Sequence, residues 1–538
     1  MVTSAIDGGI GRGTRSRQRH DQLEAARFFL FSILGMSFWF FLAVPFASHR
    51  ETYWWLAMVH TEPVLSSLGV ISVTYRPVAQ LVTWLAFRLL DLHTFPTNST
   101  VQSLLQLVVY GGFAFAWWFF FKAAQCRRLF AIIACLVTGM LFPGYVHLFH
   151  VYGLMYVPVM LMLGALIFYY ASGEFRRREK LFAALAIVLV LWHPFVPALF
   201  AGFYFGFLIE TARQRTRKES IRGLLLLILC LATAVGMGLL FARPDAHMSI
   251  QVRLTGFFTS YRTTEINHIA STLSFVLSLL AFGSTAIRAR IKLVGLAIIA
   301  SVGCFLLVKS IPLVLLWLCI VLIKLAISGR WGVFFLTAAA ASLPFGAGIG
   351  SPGFAVFAIT VAVYVTALDW PNAEARLGAI PAVAFDVCLF LAAAVVILIR
   401  SGVGVPVIDR AAHPLLAERE RSYQLEQMIV WLHNSKYCNY RISFNEDAGN
   451  PIDSRNYGLL RDNRPPSSID DVGLFWSRVM RCDAIPGRDR TAIMTFGGIA
   501  TKGRETVFEV PGKYAGNATT AILDVQGDDT GAQLTDKK

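Results

Sequence analysis

Long apolar runs alternate with short polar loops over roughly the first 400 residues of this chain. A helix that crosses a bilayer needs about 20 predominantly apolar residues, because each residue advances the helix by about 1.5 Å. The pattern therefore predicts an all-α polytopic membrane domain with about thirteen spanning helices, roughly eleven at the least. The predicted runs are 27–47, 102–121, 128–145, 152–171, 180–193, 195–210, 222–241, 269–287, 292–309, 311–328, 331–348, 352–369 and 380–399.

Every second loop between these runs is rich in Arg and Lys. The basic residues are Lys122, Arg127, Arg128, Arg176, Arg177, Arg178, Lys180, Arg213, Arg215, Arg217, Lys218, Arg222, Arg288, Arg290 and Lys292. Cytoplasmic loops hold Lys and Arg because translocating them is unfavourable. The pattern predicts a basic cytoplasmic tail over 1–26 and a transmembrane domain over 27–400, with the basic loops on the cytoplasmic side.

Two loops on the opposite side are long, covering 48–101 and 242–268. Within the first, the stretch 76–92 mixes apolar and polar residues in a way that predicts an amphipathic helix lying in the membrane interface. A membrane enzyme needs ionisable groups that reach water, and long exported loops supply them. The candidate chemistry is therefore sought in these two loops and at the neighbouring helix ends.

The composition changes after residue 400. Residues 401–512 predict a small soluble α+β domain, with a helix over 411–433 and apolar stretches at 492–496 and 506–510. Residues 513–538 are rich in Gly, Asp and Thr, which predicts a disordered tail. An odd number of helices places this domain outside, where Cys438 and Cys482 would form a disulfide; in the cytoplasm they would remain thiols.

The charge of the chain follows from its topology. The formal net charge is +15, yet only 15% of the residues are charged and the mean hydropathy is +0.58. A soluble domain carries about 25% charged residues. Because the basic residues flank apolar runs, they indicate orientation, and no nucleic-acid partner is expected. No GxGxxG, Walker A or zinc-spaced Cys/His cluster stands out in the sequence, so no cofactor is expected.

The first long loop carries the sequence Tyr75-Arg76-Pro77, followed by the amphipathic stretch and an apolar helix. This pattern resembles the "RPL" segment in the first exported loop of the GT-C superfamily of membrane glycosyltransferases, which includes the protein O-mannosyltransferases. The order of elements is similar to that of the family over roughly residues 25–210. The resemblance implies inverting transfer of a sugar from a polyprenyl-phosphate carrier to a glycan, lipid or protein acceptor at the outer face of the inner (plasma) membrane.

The resemblance further implies a carboxylate general base in the first exported loop. The family carries an Asp there, often in a paired-acid motif, whereas this loop has His49-Arg50-Glu51 and no Asp between residue 48 and Arg76. Glu51 and Glu62 are the carboxylates available in that stretch. A Glu can deprotonate an acceptor hydroxyl as an Asp can, since the ordinary pKa values of both side chains are about 4.

A lipid-phosphate donor needs cations where the leaving phosphate develops charge. The candidates for this role are Arg76, Arg253, Arg262 and Lys309. Tyr75, His147, His150, His193 and His268 are candidates for lining the site. His147 and His150 lie three residues apart and form a weak candidate for a divalent metal, which some GT-C enzymes use.

Three other interpretations remain open. The first is an envelope polysaccharide polymerase or ligase, which relies on Arg and His in place of a carboxylate base. A lipid or polysaccharide transporter would show matched broken helices in two inverted halves, and no such repeat is evident. A non-catalytic member would use its C-terminal domain to bind a partner.

Overall fold

The computed structural model describes residues 77–89, 99–124, 153–240, 249–264, 313–347, 352–368, 414–444, 490–496, 503–513 and 520–525. These residues are mostly helical, with one small sheet near the C-terminus. The helices before residue 400 are α1 Pro77–Leu89, α2 Ser99–Ala123, α3 Gly153–Ala171, α4 Phe175–Val188, α5 Phe195–Thr211, α6 Arg217–Leu240, α7 Ile250–Thr264, α8 Leu313–Ile327, α9 Trp331–Ala347 and α10 Pro352–Leu368. The C-terminal elements are α11 Pro414–His433, β1 Arg441–Phe444, β2 Thr491–Phe496, β3 Glu505–Val510 and β4 Ala521–Val525.

Eight of the described helices coincide with predicted apolar runs. Helices α2 to α6 and α8 to α10 match the runs 102–121, 152–171, 180–193, 195–210, 222–241, 311–328, 331–348 and 352–369. Within the described residues, Phe195–Gln214 and Arg217–Gly236 are long and apolar enough to cross a membrane, and several other apolar helices are shorter. The runs 27–47, 128–145, 269–287, 292–309 and 380–399 lie outside the described residues.

Glycines allow two pairs of helices to approach closely. A Cβ added at Gly164 of α3 would lie 2.6 Å from the carbonyl oxygen of Ala116 in α2. A Cβ at Gly206 of α5 would collide with the backbone of Trp331 and Gly332 at the start of α9. Gly202 lies one turn before Gly206 and faces Phe335 of α9. Small residues four apart are a common helix-packing device where lipid, not water, surrounds the helices.

The contacts fix the relative directions of the helices. Gly112 faces Val157, while Phe119, further along α2, faces Gly164 and Phe168, so α2 and α3 run parallel. Helices α5 and α9 run antiparallel, because Gly202 meets Phe335 and Gly206 meets Trp331. These directions agree with the strict alternation predicted for α2, α3, α5 and α9.

The bundle consequently has two chemically different ends. We name the basic end by the turns 172–174, 212–216 and 328–330, which join α3 to α4, α5 to α6 and α8 to α9. The His193 end is the opposite one, where the break between α4 and α5 and the start of α3 meet: the Trp192 indole N–H donates to the carbonyl oxygen of Leu154 over 3.1 Å.

The C-terminal elements form a helix packed on a four-stranded sheet of order β1-β2-β4-β3. Strands β1 and β2 are parallel, and the other two pairs are antiparallel. Leu425, Met428, Ile429 and Leu432 of α11 are buried, as their helical spacing predicts. Trp431 stacks on Phe508 of β3 with ring centroids 4.6 Å apart.

The tail prediction needs a correction. Strand β4 lies inside 513–538, where composition predicted disorder, and its five residues are all buried. It pairs with β2 on one side and with β3 on the other. Gly, Asp and Thr around it lowered the average hydropathy, but the short apolar sequence itself gains two hydrogen-bonded neighbours and so becomes ordered.

Candidate functional site

The helix predicted within the first long loop exists as α1. It contacts α3 and the short 3-10 helix Leu189–Leu191 that follows α4. Its Ala79 and Thr83 side chains are fully buried. That turn immediately precedes Trp192 and His193. The first long loop therefore packs one of its helices at the His193 end.

Helix α7, from the second long loop, reaches the same end by a different route. The Arg253 guanidinium lies 3.5 Å from the carbonyl oxygen of Phe345, near the last turn of α9. Since α9 starts at the basic end, its last turn lies at the His193 end. In a second contact, the Tyr261 hydroxyl donates over 2.8 Å to the carbonyl oxygen of Ala341, one turn before Phe345 in α9.

Tyr261 fixes α7 against the bundle. Its side chain is fully buried, and it packs edge-on against Phe257 with ring centroids 5.1 Å apart. Burial raises the pKa of the Tyr261 hydroxyl, so this group stays protonated and acts as a donor. The contact holds Arg253, two turns earlier in α7, in a half-buried position near the end of α9.

His193 occupies the break between α4 and α5. Its side chain is 1% exposed, and its Nδ1 accepts the backbone N–H of Phe195 over 3.3 Å, which places the proton of a neutral ring on Nε2. Tyr156 of α3 packs on the imidazole at 5.2 Å, and Phe357 of α10 packs on Tyr156 at 5.6 Å. The predicted boundary between the runs 180–193 and 195–210 is found at this break, where α4 and its 3-10 turn end and α5 begins at Phe195.

The side chains of the other predicted site residues lie outside the described residues. The backbone of Arg262 belongs to α7, but its side chain lies outside the described residues. The remaining candidates, which also lie outside them, are Glu51, Glu62, Tyr75, Arg76, His147, His150, His268 and Lys309. Within the described residues no three His, Cys, Asp or Glu side chains lie together as a metal site would require.

The basic end holds a polar cluster that the sequence did not predict. The Glu210 carboxylate accepts the Tyr170 hydroxyl over 2.9 Å and the backbone N–H of Gly332 over 2.6 Å. It therefore joins the last turns of α3 and α5 to the first turn of α9. A carboxylate at a helix N-terminus is stabilised by the unpaired N–H groups and by the helix dipole.

A second cluster lies beside the first. The Arg215 guanidinium donates to Glu179 over 2.7 Å and to the Thr211 hydroxyl over 2.7 Å, while the Tyr204 hydroxyl donates to Glu179 over 3.2 Å. The Arg215 and Glu179 side chains are 1% and 12% exposed. A lone acid within a strongly basic loop was the available signal for such an internal ion pair.

The N-terminus of α6 completes this end. Thr216 and Glu219 cap each other reciprocally: the Thr216 N–H donates to the Glu219 carboxylate over 2.9 Å, and the Glu219 N–H donates to the Thr216 hydroxyl over 3.3 Å. The sequence Thr-x-x-Glu before an apolar run is the signature of this arrangement. The same carboxylate accepts Arg176 over 2.9 Å, which links α4 to α6.

Comparison with known proteins adds no relative: no family model, no curated protein and no solved structure matches the chain.

Proposed function

We propose that this chain is a multi-pass membrane glycosyltransferase. It takes a sugar from a polyprenyl-phosphate carrier and passes it to a glycan, lipid or protein acceptor at the outer face of the inner membrane. The observation that carries the proposal is the placement of α1 and α7. Both come from the two long loops, 48–101 and 242–268, and both pack at the His193 end, opposite the Arg-rich turns.

The proposed orientation follows from the distribution of charge. The basic end faces the cytoplasm, as the positive-inside rule requires, and the N-terminal tail lies there too. The His193 end then faces outward, with both long loops beside it. A prenyl-linked donor reaches this end laterally from the membrane, which explains why the reaction belongs to a bundle of apolar helices.

The proposed chemistry is a single displacement. Glu51 or Glu62 takes the proton of the acceptor hydroxyl, the hydroxyl oxygen bonds to the anomeric carbon, and the bond from that carbon to the phosphate oxygen breaks. The leaving phosphate is held by Arg253 together with Arg76, Arg262 or Lys309. A guanidinium group donates two parallel hydrogen bonds to two phosphate oxygens, and a Lys ammonium supplies a point charge. One displacement inverts the anomeric carbon. His193 and Tyr156 form part of the wall of the site.

The described part of α7 supports the role of Arg253. Tyr261 anchors the helix through Ala341, and Arg253 is half-buried beside the end of α9. The α7 sequence contains Arg but neither Asp nor Glu, and the same holds for α1. Two loop helices without carboxylates favour anion binding on this end of the bundle.

The test uses the full-length protein reconstituted in vesicles with undecaprenyl phosphate carrying radiolabelled glucose, mannose or galactose. Transfer is followed as label that leaves the carrier for an envelope glycan fraction. We expect Glu51→Gln or Glu62→Gln to lower turnover about 100-fold or more, since a general base contributes about that much. Arg253→Gln should lower it about 10-fold or more.

Matched controls remove the same charges at the basic end. Glu174→Gln and Arg213→Gln alter exposed side chains there and should leave transfer unchanged. Transfer that persists in both Glu51→Gln and Glu62→Gln but disappears in Arg253→Gln identifies the polymerase or ligase mechanism, which uses Arg and His. Absence of turnover with every donor, in protein that stays folded, rejects the proposal.

A further inference from the structure

Helices α4 and α6 contact each other and present aliphatic side chains to the surroundings. Their exposed apolar residues are Leu181, Leu185, Val188, Ile221, Leu224, Leu225, Ile228, Leu229, Leu231 and Val235. In α6 the residues Ile221, Leu224, Ile228, Leu231 and Val235 recur at intervals of three and four, so they form one face. We call this surface of α4 and α6 the aliphatic wall.

Basic side chains continue the aliphatic wall at the basic end. Arg217 precedes Ile221 by four residues, and Lys218 precedes Leu225 by seven, so both lie on the exposed face of α6. In α4, Arg177 likewise precedes Leu181 by four residues, and Lys180 is exposed on the same turn of the helix. Together with Arg222, these exposed residues form what we call the basic rim.

The nearby carboxylates are already engaged elsewhere. Glu219 is bound by Arg176 and by the cap of α6, Glu179 is bound by Arg215 and Tyr204, and Glu174 pairs with Arg178. Within the described residues, no carboxylate pairs with Arg177, Lys180, Arg217, Lys218 or Arg222. The rim therefore keeps an excess of positive charge that the described carboxylates do not neutralise.

Two of these cations stand where a helix alone does not favour them. Arg217 and Lys218 occupy the first turn of α6, next to the positive end of the helix dipole. An anion beside the rim removes this conflict. Because the rim continues directly into the aliphatic wall, the matching ligand has a negative head and a hydrocarbon body.

We infer that the wall and rim bind anionic phospholipid, with acyl chains along α4 and α6 and the phosphate headgroup at Arg217, Lys218 and Arg222. This inference needs the chain to lie in a membrane but is independent of glycosyl transfer. An anionic headgroup gains about fivefold in association for each nearby Lys or Arg, since each is worth about 1 kcal/mol near such a surface.

The experiment measures lipid selectivity of the full-length protein in phosphatidylcholine vesicles. A trace of spin-labelled phosphatidylglycerol or spin-labelled phosphatidylcholine is added, and the motionally restricted fraction gives the relative association constant. We expect wild type to prefer phosphatidylglycerol about fivefold or more, and high salt to reduce this preference. The triple variant R217Q/K218Q/R222Q should bring the ratio close to one.

The triple variant K502Q/K537Q/K538Q serves as a control, because it removes the same charge from the C-terminal part of the chain. It should retain the preference. Equal association of both labels with wild type overturns the inference, as does a preference that survives in R217Q/K218Q/R222Q. A concentration-dependent dimer that excludes both labels also overturns it, because a second copy would then cover the aliphatic wall. Unchanged melting temperatures show that the variants remain folded.

Discussion

The Glu210 carboxylate accepts a 2.6 Å hydrogen bond from the backbone N–H of Gly332, which lies 122 positions later in the chain, in the first turn of α9. Tyr170 donates to the same carboxylate from a third helix. One side chain thus joins α3, α5 and α9 at the basic end. Such a joint fixes how far the three helices are shifted along their axes, which the packing of their apolar faces alone does not determine.

Replacing Glu210 by Ala should lower stability by about 3 kcal/mol, because a charged acceptor is lost and two donors remain behind. Tyr170→Phe removes one donor and should cost about 1 kcal/mol. Thermal unfolding of the purified protein in detergent gives the ranking of melting temperatures. Glu210→Gln keeps an acceptor oxygen, so its melting temperature should lie between those of Glu210→Ala and Tyr170→Phe. Equal melting temperatures for wild type and Glu210→Ala contradict the joint.

Gly206 should tolerate no larger side chain. A methyl group there meets the backbone of Trp331 and Gly332, which cannot rotate away. We expect Gly206→Ala to destabilise the protein by about 2 kcal/mol through overpacking. Gly236→Ala is the control, since nothing lies within 4 Å of its added Cβ. It should be neutral or stabilise by up to about 1 kcal/mol, as expected for Gly to Ala in a helix. Similar melting temperatures for both variants argue against close packing of α5 on α9.

The two ion pairs at the basic end should differ in strength. Arg215 and Glu179 are buried, so Arg215→Ala leaves a carboxylate without its charged partner and should cost about 3 kcal/mol. Arg176 and Glu219 are 39% and 40% exposed, and Arg176→Ala should cost less than about 1 kcal/mol. Melting temperatures measured at low and high salt test the contrast. A larger loss for Arg176→Ala reverses the assignment.

The strand within the C-terminal tail should be essential for its domain. A chain that ends after residue 513 lacks β4, so β2 and β3 lose their shared neighbour and Thr506 loses its 2.7 Å hydrogen bond to Asp524. We expect rapid proteolysis within α11 in that chain. A chain that ends after residue 526 keeps β4 and should resist the protease. Equal resistance of both chains shows that the sheet does not depend on β4.

The C-terminal domain should lie on the same side as the His193 end. Helix α10 runs from the His193 end to the basic end, because its Phe357 packs on Tyr156 near the start of α3 and its Tyr364 packs on Phe120 near the end of α2. The predicted run 380–399 then crosses back. Cys438 is disulfide-bonded, which fits an oxidising compartment. Alkaline phosphatase fused after residue 538 should be active in cells, and green fluorescent protein at the same position should be dark. The opposite pair of results places the domain in the cytoplasm.

The helices could largely be predicted from the sequence because their signal is local. Eight apolar runs correspond to described helices, and the His193-Pro194 break falls where the chain leaves one helix and starts the next. The amphipathic helix predicted over 76–92 is found as Pro77–Leu89. The disordered tail was mispredicted over 521–525, since average composition hides a short apolar strand whose partners are distant in sequence.

The candidate site could be predicted less well. Arg253 and His193 could be singled out because they stand in or beside loops predicted on the side opposite the basic loops. Their neighbours Phe345 and Tyr156 come from other helices, which the sequence does not indicate. Glu179 and Glu210 were missed altogether. Each lies next to a basic segment, and its partners come from other parts of the chain: Tyr170 and Gly332 for Glu210, and Tyr204 and Arg215 for Glu179.

Hydropathy and loop charge, read along the chain, determine where the helices lie and how they alternate, because transfer into an apolar environment depends on each segment's own composition. Which helices touch, and which long loops share an end, depends on shape: glycines such as Gly206 admit one neighbour and not another. Tertiary packing alone placed Glu210 on the first turn of α9 and α7 beside Ala341, since those contacts join residues with no local signal for each other.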